Sequence, residues 1–229
     1  MRIFVAGATG ATGQVFVPMA TEAKHELVLH VRPQSAARSP LGKDPRARVF
    51  DLGDADALKA ALDGCDAIVS FVGTMKNRFG AGDTYETSDI ASTRQLVEGA
   101  KAAAVHRFLL LSSVGAGKLG GAYLKTKAGC EEIVRRSGLR FTIFRPSILV
   151  SPLGSEGTHG GRGAPLGVTK LFAALRHVPG LGGWADDARP IPLTTLCRAF
   201  IAVLERPMDG MNLSGRDLWT LGGGLGRAR

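Results

Sequence analysis

The sequence predicts a doubly wound α/β protein, in which a parallel sheet carries helices on both faces. Three observations lead to this class. Short apolar runs recur along the first 145 residues, segments with helical spacing separate them, and a glycine-rich turn follows the first run. Strands that are joined by a single helix run parallel to each other, so the alternation indicates βαβ units.

Six apolar runs have the length of buried strands. They lie at residues 2–7, 26–32, 47–52, 66–73, 106–113 and 140–147. Between them, helical spacing predicts helices at residues 11–23, 54–64, 85–105 and 121–137. Pro18 is expected to kink or shorten the first helix, because proline removes an internal hydrogen bond.

After Ser147 the alternation becomes irregular. The glycine-rich stretch "SPLGSEGTHGGRGAP" predicts a loop, and the remaining pattern predicts helices near 166–177 and 194–205 with a short segment at 188–193 between them. We therefore divide the chain into a main domain at residues 1–150 and a small irregular lobe at residues 151–229, integrated with it. Ligands of such folds bind at the carboxyl ends of the strands, so the lobe is expected to contact the substrate.

The composition is that of an ordinary globular protein, with 45% hydrophobic and 21% charged residues. No apolar run approaches the roughly 18 residues of a membrane helix, so we expect no membrane association. Cys65, Cys130 and Cys197 have no metal-ligand or disulfide spacing. This favours a reducing, cytoplasmic location without a metal site, and it makes Cys130 a packing residue.

The net charge of +9 includes a basic stretch between Val31 and Val49, with five positive residues and one negative residue. Aromatic residues are scarce there, which argues against a surface that stacks nucleic-acid bases. A local phosphate site is the better interpretation.

The glycine-rich turn has the sequence "GATGATG", with Gly7, Gly10 and Gly13 directly after the first strand. Glycines permit a tight turn and close approach of the backbone, and the helix that follows offers free N–H groups to a pyrophosphate. Because a strand precedes the turn and a helix follows it, a dinucleotide site is favoured over a purely structural turn.

The end of the second strand indicates the choice of dinucleotide. A site for NAD usually has an acidic residue there, but none occurs from His30 to Lys43. Arg32 and Arg38 could instead pair with a 2′-phosphate, which favours NADP(H) over NAD(H); the alternative is a solvated basic loop. Asp51 has two open roles, contact with the adenine edge or a helix N-cap, and Asp54 could also be that cap.

A tyrosine and a lysine lie one helical turn apart in "AYLKTKAGCEEIVRRSG". Tyr123 and Lys127 therefore share a helix face. A neighbouring ammonium favours the phenolate, which brings a tyrosine nearer to use as a general acid or base. A hydroxyl from Ser113 or Ser112, at the end of the fifth predicted strand, could hold a substrate carbonyl in line.

Several stretches together resemble a known family, the atypical short-chain dehydrogenases/reductases, and in particular its NAD(P)H-binding, Tat-interactive-protein-like and NmrA-like branches. They are "GATGATG", "FDLGDADALKAALDGCDAIVSFVG", "YETSDIASTRQLVEGAKAAAVHRFLLLSSVGAG", "YLKTKAGCEEIVRRSG" and "LRFTIFRPSIL". The resemblance covers about residues 1–150 well and "PIPLTTLCRAFIAVLERP" more loosely. It implies a Rossmann-type fold.

The resemblance also implies the roles of individual residues. The catalytic set would be Ser113, Tyr123 and Lys127, and Lys127 would also hold the nicotinamide ribose. The implied cofactor-binding residues are Gly7, Thr9, Gly10, Thr12 and Gly13 for the pyrophosphate, Arg32 and Asp51 for the adenosine end, Ser70, Phe71, Val72 and Gly73 along the flank, and Ser112, Pro146 and Ser147 near the nicotinamide.

The leading hypothesis is an NADPH-dependent oxidoreductase that reduces a small carbonyl or quinone-like substrate. A non-catalytic NADP(H)-sensing regulator and a nucleotide-sugar epimerase or dehydratase are the alternatives. We expect a small-molecule substrate and no nucleic-acid partner, and both a monomer and a homodimer remain open.

Four further residues could have either a functional or a purely structural role. His159 would contact substrate or lie in solvent, and Arg145 would anchor an anionic substrate or form an ion pair within the fold. Glu131 and Glu132 are expected to pair with Lys127 or Arg135 on the helix surface.

Overall fold

A parallel sheet forms the centre of the computed structural model, which describes residues 1–73, 84–117, 121–151 and 189–223. Within these ranges seven strands pair in the order β3-β2-β1-β4-β5-β6-β9, and every neighbouring pair is parallel. The strands are β1 (Arg2–Ala6), β2 (Glu26–Val31), β3 (Ala47–Val49), β4 (Ala67–Ser70), β5 (Arg107–Leu111), β6 (Arg140–Arg145) and β9 (Met211–Ser214). Two short strands, β7 (Leu149–Val150) and β8 (Ile191–Pro192), form a separate parallel pair.

Helices connect the strands and cover both faces of the sheet. They are α1 (Ala11–Glu22), α2 (Pro33–Ala36), α3 (Ala55–Leu62), α4 (Ala91–Ala102), α5 (Ala122–Arg135), α6 (Leu193–Glu205) and α7 (Gly215–Leu221). A 3₁₀ turn spans Pro40–Lys43, and a π-helical turn, Glu86–Ile90, leads directly into α4. No helix of the described ranges is long and apolar enough to cross a membrane.

The core consists of two apolar layers, one on each face of the sheet. Side chains alternate between the faces along a strand, so Ile3 packs in one layer and Phe4 in the other. The first layer includes Phe16 of α1 and Phe200 of α6, and the second contains residues of α3, α4 and α5. Burial on both faces explains why the strands read as continuous apolar runs.

The predicted doubly wound parallel sheet is confirmed, with local differences. Pro18 does not shorten α1, which continues to Glu22. The third predicted strand ends at Val49 rather than at residue 52, because β3 is an edge strand that pairs with β2 alone. The segment Met211–Ser214 forms β9 beside β6 and extends the sheet. The predicted loop, the helix near 166–177 and His159 lie outside the described residues.

Candidate functional site

Backbone atoms pack closely around the glycine turn. Gly7 follows β1 with φ of +81°, and a Cβ there would lie 2.9 Å from the Phe71 carbonyl carbon. A Cβ on Gly13 would lie 2.4 Å from the Gly7 carbonyl oxygen. The Gly10 amide donates to that same oxygen at 3.0 Å, and Gly10 then caps α1. Because residues 7, 10 and 13 carry no side chains, the backbone can come close to a pyrophosphate and offer it the first-turn amides of α1.

Two threonines border the turn. The Thr9 carbonyl accepts a hydrogen bond from Gln14 Nε2 at 2.9 Å, which connects the glycine turn to the first helical turn of α1. Thr12 is buried, and its carbonyl lies 3.7 Å from Cys197 Sγ of α6. Both residues therefore help to hold the turn in place.

The predicted adenosine-binding residues follow β2 and β3. Arg32 is half-buried directly after β2, and Asp51 is exposed two residues after β3. Asp51 Oδ1 accepts from the Gly53 amide at 2.9 Å, whereas Asp54 accepts from the Ala57 amide and caps α3. Of the two carboxylates, the N-cap of α3 is thus Asp54.

The end of β4 forms the next wall of the crevice. Ser70 is buried, and its hydroxyl has no hydrogen-bond partner among the described residues. The Phe71 ring packs in the core against Phe16 and Phe200, with centroids 5.1 and 5.0 Å away. The Phe71 ring therefore lies in the core, while its backbone borders the glycine turn.

Lys127 reaches the end of β4 from α5. The side chain is only 4% exposed, and Nζ donates to the Val72 carbonyl at 3.2 Å. A Cβ on Gly73 would lie 2.9 Å from this nitrogen, so a larger residue at that position would displace it. Nζ also lies 5.9 Å from the centroid of the Tyr123 ring, as the spacing of four residues predicts. Tyr123 itself is 38% exposed and can meet a ligand.

Asp89 is a site residue that the sequence reasoning missed. It belongs to the π-helical turn, is 1% exposed, and lies 3.2 Å from Lys127 Nζ. Burial alone would lower the pKa of Lys127, but the Asp89 carboxylate together with the Tyr123 and Cys130 side chains more than offsets it and the pKa is raised, so the lysine is an ammonium at neutral pH. A signal was present: Asp89 falls on the same helical face as Thr93, Leu96 and Ala100, which are buried.

The two serines after β5 have different partners. Ser112 is buried and donates to Glu131 Oε1 at 2.5 Å. Ser113 is half-buried, and its hydroxyl donates at 3.3 Å to the neighbouring Val114 carbonyl, a long bond that a ligand could replace. Of the two, Ser113 is the hydroxyl that remains available to a substrate.

Glu131 is buried, not on the helix surface as predicted. It is 1% exposed because it lies one turn from Lys127 on the face of α5 that packs against the sheet. Besides Ser112, its carboxylate accepts from Arg135 and from Arg145, each at 2.8 Å. Burial would raise the pKa of Glu131, but these hydrogen bonds lower it. Arg145 therefore forms an ion pair within the fold, and Glu132 pairs with Arg136 on the surface.

The predicted nicotinamide end is built by the loop after β6. Pro146 is buried, and its carbonyl accepts from the Val114 amide at 2.9 Å. The Ser147 hydroxyl donates to the Arg189 carbonyl. The first bond joins the loops after β5 and β6, and the second joins the loop after β6 to the segment before β8. Cys130, on α5, is buried among apolar side chains, and burial raises the pKa of its thiol.

A protein-family comparison identifies the chain. A family model described as NAD(P)H-binding matches residues 7–170, from the glycine turn through the Tyr123–Lys127 helix. The chain belongs to this NAD(P)H-binding family. The resemblance to the atypical short-chain dehydrogenases/reductases is thereby confirmed, and the family match supports binding of a nicotinamide dinucleotide.

The relatives of this chain have diverse names. The uncharacterized sugar epimerase YhfK of Bacillus subtilis is 27% identical, over 64% of this chain and 71% of its own. Protein TIC 62 of Arabidopsis thaliana is 25% identical over 78% of this chain, and photosystem II assembly factor Ycf39 of Cyanophora paradoxa is 29% identical over 63%. The chain spans 34% of TIC 62 and 44% of Ycf39, so it corresponds to only part of either protein.

Solved structures share the same fold. DesIV of Streptomyces venezuelae, a dTDP-glucose 4,6-dehydratase with NAD and DAU bound, superposes with a TM-score of 0.65 at 23% identity, covering 97% of this chain and 79% of that one. UDP-N-acetylglucosamine 4-epimerase of Bacillus cereus gives a TM-score of 0.64 at 16% identity, covering 97% and 83%. Together they show that the chain has a Rossmann fold.

Proposed function

We propose that the protein is an NADPH-dependent oxidoreductase of the short-chain dehydrogenase/reductase type, which acts on a small carbonyl or quinone-like substrate. One observation carries the proposal. The Tyr123 ring stands beside a buried Lys127 ammonium, and this ammonium contacts the Val72 and Gly73 backbone at the strand end that borders the glycine turn.

Each of the three side chains has a separate task. When bound, the nicotinamide supplies hydride to the substrate carbon. Ser113 orients the substrate oxygen, and the Tyr123 hydroxyl donates the proton that this oxygen gains. Lys127 places a positive charge 5.9 Å from the centre of the Tyr123 ring, and it holds the ribose. The exposure of Tyr123 supports its assignment as the group that meets the substrate.

The preference for NADP(H) is supported by the end of β2. Arg32 follows this strand, and the next acidic residue along the chain is Asp44, whose carboxylate is bound by Arg46. A guanidinium in this place can form charge-assisted hydrogen bonds with a 2′-phosphate, whereas the segment from Arg32 to Lys43 contains no carboxylate for a ribose hydroxyl.

Replacing the tyrosine tests the mechanism. Tyr123→Phe keeps the ring and removes only the proton donor, so we expect turnover to fall at least about 100-fold with NADPH affinity unchanged. Turnover is followed by nicotinamide absorbance over a panel of carbonyls and quinones, and affinity by fluorescence titration. Tyr85→Phe is the matched control, because the Tyr85 ring lies 6.2 Å from that of Tyr123. Loss of the Tyr85 hydroxyl should leave turnover unchanged. Full activity of Tyr123→Phe on an identified substrate would disprove the mechanism.

A sensing role is the second candidate, since one relative is named an assembly factor. A sensor would bind NADP(H) tightly and turn over no compound of the panel, and its association with a partner would change with the redox state of the cofactor.

An epimerase role is favoured by the name of another relative. An epimerase regenerates its cofactor in each cycle. It would convert a nucleotide sugar with no net change in nicotinamide absorbance, which separates it from a reductase in the same assay.

A further inference from the structure

The Lys127–Asp89 ion pair is buried on both sides. Lys127 is 4% exposed and Asp89 is 1% exposed, with 3.2 Å between Nζ and Oδ1. Removing two charges from water is costly, and a pair of this kind is often no more stable than apolar residues of the same volume. Stabilisation of the fold is therefore a weak explanation for the Lys127–Asp89 ion pair. Its location suggests a role in cofactor binding.

The pair lies against the wall of the dinucleotide site. A Cβ on Gly73 would lie 2.9 Å from Lys127 Nζ and 3.7 Å from Asp89 Oδ1, so both charges reach the backbone that follows β4. Two residues earlier, the same backbone touches Gly7 of the phosphate turn. On the other side, the Thr93 hydroxyl donates to the Asp89 carbonyl at 2.7 Å, which anchors the turn that carries the carboxylate.

The other buried carboxylate of this region is already engaged. Glu131 lies one turn further along α5 and accepts hydrogen bonds from Ser112, Arg135 and Arg145. The charge of Lys127 is thus balanced by Asp89, while Glu131 balances the guanidinium groups near it.

The oxidised and reduced cofactors differ by one unit of charge on the nicotinamide ring, which is a cation when oxidised and neutral when reduced. An uncompensated ammonium in a water-poor site would repel the oxidised form and leave the reduced form almost unaffected. We propose that Asp89, by offsetting the charge of Lys127, sets the relative affinity of the site for NADP⁺ and NADPH. The proposal rests on the proposed function in one respect, since it takes Lys127 to lie at the nicotinamide end.

Asp89 acts through Lys127 and is a positioning residue, so the test must separate charge from structure. The ratio of the two dissociation constants, Kd(NADP⁺)/Kd(NADPH), does so, because a general loosening of the site weakens both cofactors together. The ratio is measured by titration of the full chain at pH 6, which favours the ammonium, for wild type, Asp89→Asn, Lys127→Met and the double variant.

The ratio should rise roughly tenfold in Asp89→Asn, the order of effect expected from one unit charge in a protein site. It should fall in Lys127→Met and return near the wild-type value in the double variant, where the pair is again neutral. Glu98→Gln, which removes a carboxylate from the exposed surface of α4, should leave the ratio unchanged. If Asp89→Asn does not fold, a lower ratio in Lys127→Met than in the double variant still supports the proposal.

The proposal would be overturned if Kd(NADP⁺)/Kd(NADPH) were the same in wild type, Asp89→Asn, Lys127→Met and the double variant. This outcome is distinct from failure of the proposed function, because the titrations need no substrate and no turnover. An active Tyr123→Phe enzyme would disprove the mechanism and leave the charge dependence of cofactor binding intact.

Discussion

Arg32 owes its position to the residue that follows it. Pro33 restricts the preceding residue to extended backbone, and Arg32 has φ of −68° and ψ of 145° before α2 begins. The chain therefore turns directly after β2, so Arg32 lies at the carboxyl edge of the sheet, beside the strand β1 that leads into the glycine turn. The two interpretations of this segment, a solvated basic loop and a 2′-phosphate site, differ in whether the Arg32 guanidinium binds the cofactor.

Arg32→Ala separates these two interpretations. If Arg32 binds the 2′-phosphate, the variant should lose about tenfold in affinity for NADPH and almost none for NADH, because only NADPH has that phosphate. Parallel fluorescence titrations measure both affinities. Arg48→Ala removes an equal charge from the exposed surface of β3 and should affect neither cofactor. Tighter binding of NADH than NADPH by the wild type would refute the assignment.

The helix α6 depends on a side chain from another element. Arg107 begins β5 and is buried, and its guanidinium donates to the carbonyls of Val203 and, at 2.9 Å, Leu204. These carbonyls belong to the last turn of α6, where no intrahelical donor is available and a positive charge is favourable. One arginine thus joins the sheet to a helix almost 100 positions later in the chain.

Arg107→Met should lower the free energy of unfolding by about 2–4 kcal/mol, because it leaves buried carbonyls without a donor. Urea denaturation followed by circular dichroism measures the change. Arg140→Met is a matched control, since Arg140 is the registered neighbour of Arg107 on β6 but is exposed, and it should cost less than about 1 kcal/mol. Equal losses in the two variants would show that Arg107 does not cap α6.

The stability of the whole molecule should depend on pH through one buried histidine. His30 on β2 packs between Phe4 and Phe50, and Nε2 lies 3.1 Å from the Phe50 carbonyl oxygen. Burial lowers the pKa of His30 to about 4, so the ring is neutral at pH 7. Since the unfolded chain binds this proton near pH 6.5, acid favours the unfolded state.

The contribution of His30 to stability is complete above about pH 6.5 and is lost as the pH falls towards about 4, a total of about 3 kcal/mol. Urea unfolding of wild type and His30→Phe between pH 7 and pH 4 tests this, because carboxylates that titrate in the same range affect both proteins. The wild type should lose more stability than the variant. Parallel curves would rule out the buried neutral histidine.

Local pattern was sufficient for the order of strands and helices, for the glycine turn and for the shared face of Tyr123 and Lys127. Each of these depends on residues that are close in the chain: alternation of apolar and amphipathic segments, three glycines in seven positions, and a separation of one helical turn. Sterics and hydrogen bonding within a few residues decide such features, so they can be predicted without knowing what packs against them.

Charge pairing could not be predicted in this way. Asp89 is 38 positions from Lys127, and Arg145 at the end of β6 binds Glu131 on α5. Each pair therefore forms only after α5 has packed on the sheet. Packing also determined that Glu131 is buried, that the Phe71 ring lies in the core, and that Met211–Ser214 lies beside β6. Burial is a property of the assembled layers, and it alone decides whether a charged side chain is solvated or must find its partner inside the protein.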